Sequence, residues 1–311
     1  MAVKMIMDRY GRLLKELRII VNTECNLSCI YCHREGIMTE PNVACLTPKE
    51  YELIAEVASR LGIEKFKLTG GEPLLHKDIV GIVKLLANVK PKDLSLTTNG
   101  TLLSTYASTL VNAGLKRVNI SLPSLNRNTY IYITKTDSLE QTINGIKVAY
   151  DAGLKPITLN IVVLKGITEK EYDKFVDFAS RIEGRLRFIE LEPIGMGRNI
   201  FEQFFERVDK ITKYIEKNSI KKYIRDENAR PVYILDNGVE VEVIKWHRNP
   251  MFCASCHRVR LVYDGTLRPC IASSQTISIV SCLRPSIDVI CLEEAFIKVN
   301  ELRRPFWLNM R

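Results

Sequence analysis

Cys25-Asn26-Leu27-Ser28-Cys29-Ile30-Tyr31-Cys32 sets three thiols at three-then-two spacing within one short segment. Thiolates select iron-sulfur clusters, zinc or copper, and three of them can hold three irons of a 4Fe-4S cubane while the fourth stays open. A cluster that only relays electrons normally has four protein ligands, so a three-cysteine set implies that a small molecule completes the coordination. His33 is available as a fourth ligand for zinc, but Cys-x3-Cys-x2-Cys is not the paired spacing of structural zinc sites, which favours the cluster. A second set, Cys253, Cys256 and Cys270, has x2 and x13 spacing and contains Arg258 and Arg260. Its competing reading is a zinc ribbon completed by His257, Cys282 or Cys291. Against the ribbon stand the two arginines, alternate residues that share one face of a strand and can grip an anion beside an open iron.

Gly70-Gly71-Glu72-Pro73 adds to the first set, because two glycines at a strand end let the backbone approach a ligand closely and suit the α-amino group of a methionine. Triad and glycines together point to S-adenosylmethionine at the open iron. Tyr31 can pack on its adenine or shield the cluster. Cys45, Cys282 and Cys291 lack such a setting and read as small buried hydrophobes; His76 and His247 read as structural. Nine cysteines in a secreted chain would form oxidised pairs, yet no apolar signal segment precedes Asp8 and the longest apolar runs are strand-sized. The expectation is a cytoplasmic protein with reduced thiols. A formal net charge of +9 favours an anionic partner, whether a nucleotide or a nucleic acid, or a well-solvated surface.

These segments need a scaffold that brings them to one face, and 311 residues with 46% hydrophobic composition can bury a full core. From residue 17 to about residue 191, short β-branched stretches alternate with amphipathic ones, the pattern of a parallel sheet wrapped in helices. The spacing predicts six strands, over 17–21, 65–69, 93–98, 117–121, 156–163 and 185–191, separated by helices over 48–61, 77–88, 102–113, 138–152 and 169–182. Most of these strands run into a polar or glycine-rich segment, such as Asn22 to Cys25, Thr97 to Gly100 or Glu190 to Gly195. In a parallel βα barrel such segments share the carboxyl-terminal face, where sites are built. The expected fold is α/β: a partial (βα)6 TIM-type barrel over 1–200, with a C-terminal extension over 201–311 that covers the open side and carries the second cluster. That extension reads as a charged helix over 201–218, a basic stretch over 221–225, strands over 232–235 and 239–244, and a hairpin of 259–263 and 266–270 about the Asp264-Gly265 turn. It shows no repeat, low-complexity tract or transmembrane span.

Cys25/Cys29/Cys32, Gly70 to Pro73, Thr97-Thr98-Asn99-Gly100, Arg187-Phe188-Ile189-Glu190 and the Cys253, Cys256, Arg258, Arg260, Cys270 set together resemble the GTP 3',8-cyclase (MoaA) family of radical S-adenosylmethionine enzymes in molybdenum cofactor biosynthesis. The resemblance spans nearly the whole chain, including Asp8-Arg9-Tyr10-Gly11-Arg12 and Leu17-Arg18. It implies a lyase with two 4Fe-4S clusters, in which a 5'-deoxyadenosyl radical takes hydrogen from ribose C3' of GTP and the carbon radical attacks guanine C8, giving 3',8-cyclo-7,8-dihydro-GTP. The roles it implies are metal ligation by Cys25, Cys29, Cys32, Cys253, Cys256 and Cys270, with the first triad, Arg258 and Arg260 as catalytic residues. S-adenosylmethionine contacts would come from Tyr31, Gly70, Gly71, Glu72, Ser121 and Glu192. GTP contacts would come from Arg18, Lys65, Lys67, Thr97, Arg187, Arg258 and Arg260. The partners it implies are a low-potential electron donor such as ferredoxin or flavodoxin and a downstream cyclic pyranopterin synthase; a homodimer is compatible, and neither membrane nor nucleic acid is expected. Three departures stand out: Lys67 where many members carry arginine, Thr158 where a lysine often lines the pocket, and an ending Leu308-Asn309-Met310-Arg311 without the family's Gly-Gly tail. They leave alternatives open: a paralogue modifying a peptide or tRNA, or a non-enzymatic iron-sulfur or zinc scaffold.

Overall fold

The computed structural model describes residues 5–37 and 45–305; the ending at 308–311 lies outside them. The first half runs β1 (Glu16–Ile20), α1 (Pro48–Arg60), β2 (Lys65–Thr69), α2 (Ile79–Asn88), β3 (Asp93–Thr98), α3 (Leu103–Asn112), β4 (Arg117–Ser121), α4 (Arg127–Thr134), α5 (Leu139–Asp151), β5 (Thr158–Val163), α6 (Tyr172–Arg181) and β6 (Arg185–Glu190). The six expected strands are present and pair in parallel in chain order. The second half runs α7 (Gly197–Phe204), α8 (Asp209–Lys217), β7 (Ser219–Ile224), β8 (Pro231–Leu235), β9 (Glu240–Ile244), α9 (Pro250–Ala254), β10 (Arg258–Val262), β11 (Thr266–Arg268), β12 (Ile277–Ser278), α10 (Val280–Leu283) and α11 (Val289–Glu301).

The extension lengthens the sheet at both edges. β9 joins β6 in parallel and β10 joins β1 in parallel, while β8 and β7 continue antiparallel beyond β9, and β11 and β12 beyond β10. β9 and β10 are successive in the chain yet lie at opposite ends of the parallel array, and the sheet does not close between them. The segment that joins them, which includes α9, therefore crosses the open side of the partial barrel.

The two faces of this sheet follow from the two-residue period of its strands. One set of side chains, Leu17 and Ile19, Phe66 and Leu68, Leu94 and Leu96, Val118 and Ile120, Leu159 and Ile161, Leu186 and Phe188, packs under the helices as the main core. Each such residue contributes about 1.5–3 kcal/mol by burial. The alternate set, Arg18, Lys67, Ser95, Asn119, Asn160 and Arg187, is polar and faces the inside. A strand polar on one face and apolar on the other thus both builds the core and lines a cavity.

Several expectations need correction. The helix expected over 201–218 is two, because Phe205 closes α7 on Phe201 and the buried Val208 amide is drawn in to donate to the Glu190 carboxylate at 3.3 Å. The basic stretch over 221–225 is largely edge strand β7, where Lys222 pairs with Glu216 at 2.7 Å and lies over the Tyr233 ring. α4 was not foreseen; its start is capped by the Asn126 side chain. Cys282 and Cys291 are not separate packing thiols but a disulfide joining α10 to α11, so the cysteines are not all reduced, and neither of these two remains available to complete a zinc ribbon. Cys45 is exposed rather than buried. Among the described residues no helix is long and apolar enough to cross a membrane.

Candidate active site

A cavity of about 720 Å³ opens at the carboxyl ends of the strands and is lined by all six cysteines of the two triads. The first triad lies on the loop after β1, and its backbone is held from several sides. Ser28 and Ile30 donate to the carbonyls of Thr134 and Ile133 at the end of α4, Cys32 donates to Cys29, and Met196 of the β6 loop donates to the Cys32 carbonyl at 2.8 Å. The unforeseen helix is thus the platform of the first motif. Gly70 and Gly71 matter here through close approach: a Cβ on Gly70 would meet the Asn22 side chain at 2.2 Å, and one on Gly71 the Glu24 carbonyl at 2.1 Å. The glycines let the cysteine loop lie against the end of β2.

The thiols themselves suit a soft metal. Burial pushes the Cys29 thiol up to about 12, and burial likewise raises Cys25 and Cys32, so only a strongly cationic group would hold all three as thiolates. Amides already point at the Cys25 sulfur, from Leu27 at 3.4 Å and from the Asn99 side chain at 3.9 Å. Three thiols on one loop and such donors to sulfur fit an iron-sulfur cluster. No three or more histidine, cysteine, aspartate or glutamate side chains among the described residues are gathered at ready-made metal-ligand spacing.

Below the loop, on the strand that leads into it and that strand's two neighbours, stands a row of cations. In strand register Arg260 lies beside Arg18, and Arg18 beside Lys67. One level lower the corresponding row is Arg258, Glu16, Lys65 and Asp93, where charges alternate. Like charges directly opposite on neighbouring strands are destabilising, and two carboxylates offset them: Glu35, three residues beyond Cys32, lies 3.8 Å from Arg18 and 3.4 Å from Arg260, and Glu16 lies 3.8 Å from Arg18. Burial alone would raise the Glu35 carboxyl, but Arg18, His33 and Arg260 hold it at about 2. Burial, against the pull of Glu16, drives the Lys67 ammonium down to about 7. Buried guanidinium nitrogens Nε of Arg18, Arg258 and Arg268 make no hydrogen bond. A wall with excess positive charge and unmet donors suits a polyanion.

Of the other predicted site residues, Tyr31, Ser121, Glu192, Thr97 and Arg187 line the same cavity, as do Gly70 and Gly71. Arg187 is tied to Glu242 and donates to Asn160 at 3.1 Å. Arg258 is engaged by Glu227 and Asn228. Two residues are placed otherwise. Lys65 begins β2, outside the lining. The Glu72 carboxylate is fully buried, taking hydrogen bonds from the Thr98 hydroxyl and the Asn99 and Leu74 amides at 2.7–3.0 Å; burial raises it to about 7 against those donors. Its side chain therefore ties β2 to β3 beneath the site. Thr158 is buried on β5 and adds no charge. Sequence reasoning missed the acidic partners Glu16, Glu35, Glu227 and Glu242, which lie far from the motifs or carry no spacing signal of their own.

Residues 19–179 match the Radical SAM superfamily and residues 184–307 match Molybdenum Cofactor Synthesis C. The chain is 43% identical over 267 residues to a probable GTP 3',8-cyclase of Saccharolobus solfataricus, covering 86% of this chain and 85% of that one. It is 42% identical over 298 residues to the probable GTP 3',8-cyclase of Sulfurisphaera tokodaii, covering 95% and 93%. In fold it is similar to Streptococcus suis SuiB bound to S-adenosylmethionine, with a TM-score of 0.65 at 18% identity over 88% of this chain and 65% of that one. With family matches over both halves and this identity over most of its length, the chain belongs to the radical SAM superfamily and, within it, to the GTP 3',8-cyclase family.

Proposed function

We propose that the chain is a GTP 3',8-cyclase that acts in the first step of molybdopterin synthesis. The observation that carries this reading is the row Arg260, Arg18, Lys67, a set of adjacent cations on the cavity wall at the base of the first cysteine loop. A radical SAM enzyme uses a 4Fe-4S cluster and S-adenosylmethionine; Cys25, Cys29 and Cys32 would hold the cluster, with Tyr31, Gly70, Gly71, Ser121 and Glu192 around the S-adenosylmethionine. When bound, that pair would supply a 5'-deoxyadenosyl radical able to remove the hydrogen of ribose C3', the carbon to be joined to guanine C8. The protein's own part is positioning. Arg18, Lys67 and Arg260 bind phosphate oxygens, with Arg187 on the far wall, and burial keeps water from the reacting carbon. Cys253, Cys256 and Cys270 would hold a second 4Fe-4S cluster, which would supply a further anchoring point for the substrate on the side of Arg258. A low-potential donor of ferredoxin or flavodoxin type would supply electrons, and a cyclic pyranopterin synthase would take the product. A reducing cytoplasm suits the six cluster thiols.

The test is anaerobic reconstitution followed by incubation with reductant, S-adenosylmethionine and GTP. The expected products are 5'-deoxyadenosine and a cyclised guanine nucleotide in equal amounts. Formation of neither from GTP, while a peptide or tRNA is modified, overturns the assignment.

Lys67 gives the reaction a pH signature. Its ammonium titrates near 7 in the free protein, whereas phosphate oxygens favour its charged form. Below that pH it is already charged; above it, binding requires proton uptake, so affinity falls by up to about tenfold per pH unit. The KM for GTP is expected to rise on the alkaline side of 7, and Lys67→Arg to flatten that rise, as steady-state profiles would report.

A further inference from the structure

Asp8-Arg9-Tyr10-Gly11-Arg12 takes no part in the chemistry described above, yet it is tied to the second cysteine triad. The segment forms a tight hairpin, with Met7 bridged to Leu13 and the Asp8 amide donating to the Arg12 carbonyl at 3.1 Å. The buried Asp8 carboxylate accepts from Arg12 Nε at 2.7 Å and lies 3.5 Å from Arg303 Nη1. Arg303 follows α11, is 1% exposed, and donates through Nη1 to the Asn300 side chain at 2.8 Å and the Arg12 carbonyl at 3.3 Å. One carboxylate thus orients two guanidinium groups from opposite ends of the chain. Both reach the segment between β9 and β10: Arg12 Nη1 donates to the Cys253 carbonyl at 2.9 Å, and Arg303 Nη2 donates to the Cys256 carbonyl. Arg12 Nη2 is buried with no hydrogen bond, and both arginines line the cavity. From the other side Asn228 holds the same turn, its side chain donating to the Phe252 carbonyl and its amide to the Ser255 carbonyl.

We infer that Asp8, Arg12 and Arg303 form a clamp that positions Cys253 and Cys256 as ligands of the second metal group and places positive charge behind them. A cluster with three thiolates carries net negative charge, and guanidinium groups on the ligand peptides orient those ligands and tune the group they hold. The connecting segment crosses the open side of the barrel and has only the short α9 of its own, so it needs such anchors. The fold answers with the segments around Arg12 and Arg303, which meet where Arg9 also donates to the Glu301 carbonyl at 2.8 Å. The inference rests on reading this triad as a cluster site.

The test uses the full chain with Arg12→Lys, Arg303→Lys and Asp8→Asn, each of which keeps approximate shape while removing part of the fork. In unloaded protein, amide hydrogen exchange through residues 253–257 should accelerate by roughly tenfold or more, the expected effect of losing a charged hydrogen bond, with exchange in β3 and β4 unchanged. After reconstitution, the second cluster's paramagnetic signal and midpoint potential should shift, or its iron be lost, while the first cluster still yields 5'-deoxyadenosine. Conservative lysine variants that restored both exchange and potential to wild-type values would overturn the clamp. So would variants that lost the β3 and β4 protection together with the segment, since that is a general structural role. If wild-type chain takes up only about four irons, the cluster reading itself fails, and accelerated exchange in the variants then marks a backbone anchor and overturns the role as a support of metal ligands.

Discussion

Cys29→Ala is expected to abolish 5'-deoxyadenosine formation, with or without GTP, and to lower bound iron from about eight to about four per chain. Cys29 lies in the middle of the first triad, on a loop fixed by backbone hydrogen bonds to the end of α4 and to the β6 loop. Those bonds do not use its sulfur, so the substitution removes a ligand without releasing the segment. The remaining thiols at Cys25 and Cys32 are raised by burial and would be left with too few partners to hold a cubane against loss of iron. Iron analysis and chromatography of the nucleoside read the two effects separately. Persistence of 5'-deoxyadenosine would mean that the radical is made elsewhere, and the second triad would then have to be considered as its source.

The sequence made the catalytic motifs legible because metal and radical chemistry need particular atoms at short, fixed intervals. Six parallel strands were legible for a related reason: Leu17, Ile19, Phe66 and Leu68 alternate with Arg18 and Lys67, and that alternation is both a strand signal and a statement of which face carries function. What stayed hidden depends on the fold. Glu35 acts on Arg260 only because β10 adds to the edge at β1, a pairing between residues more than two hundred positions apart. The Glu72 carboxylate sits in a motif that reads as ligand contact, but three inward donors claim it. The disulfide between Cys282 and Cys291 pairs thiols whose spacing alone resembles neither a metal motif nor a hairpin. α4 lacked a strong apolar period, and its role as a platform for the first triad depends on carbonyls at its last turn.

Arg260→Ala is expected to block cyclisation of GTP while sparing radical formation, so that 5'-deoxyadenosine accumulates without a cyclic nucleotide. Arg260 is 5% exposed and stands next to Arg18 in the unbalanced row. Its removal costs a triphosphate one charge-assisted contact, about 1.5–3 kcal/mol or roughly 10- to 150-fold in KM, and frees the phosphates to shift relative to the radical. The protein should tolerate the change. One of three neighbouring cations is lost, and Glu35 keeps Arg18 and the Thr69 hydroxyl as partners. Arg258→Ala should also block cyclisation but with a different signature, because Arg258 pairs with the buried Glu16 and the half-buried Glu227. Glu16 keeps Arg18 at 3.8 Å and Glu227 keeps Arg230 at 3.0 Å, so the loss is that of a charged hydrogen bond, about 1.5–3 kcal/mol of stability, and that variant is expected to melt earlier. Product analysis at saturating S-adenosylmethionine, together with thermal melts of both variants, separates the two roles. If Arg260→Ala lost the first cluster along with cyclisation, Arg260 would belong to the support of the cysteine loop through Glu35, and the binding of phosphate would fall to Arg18 and Lys67.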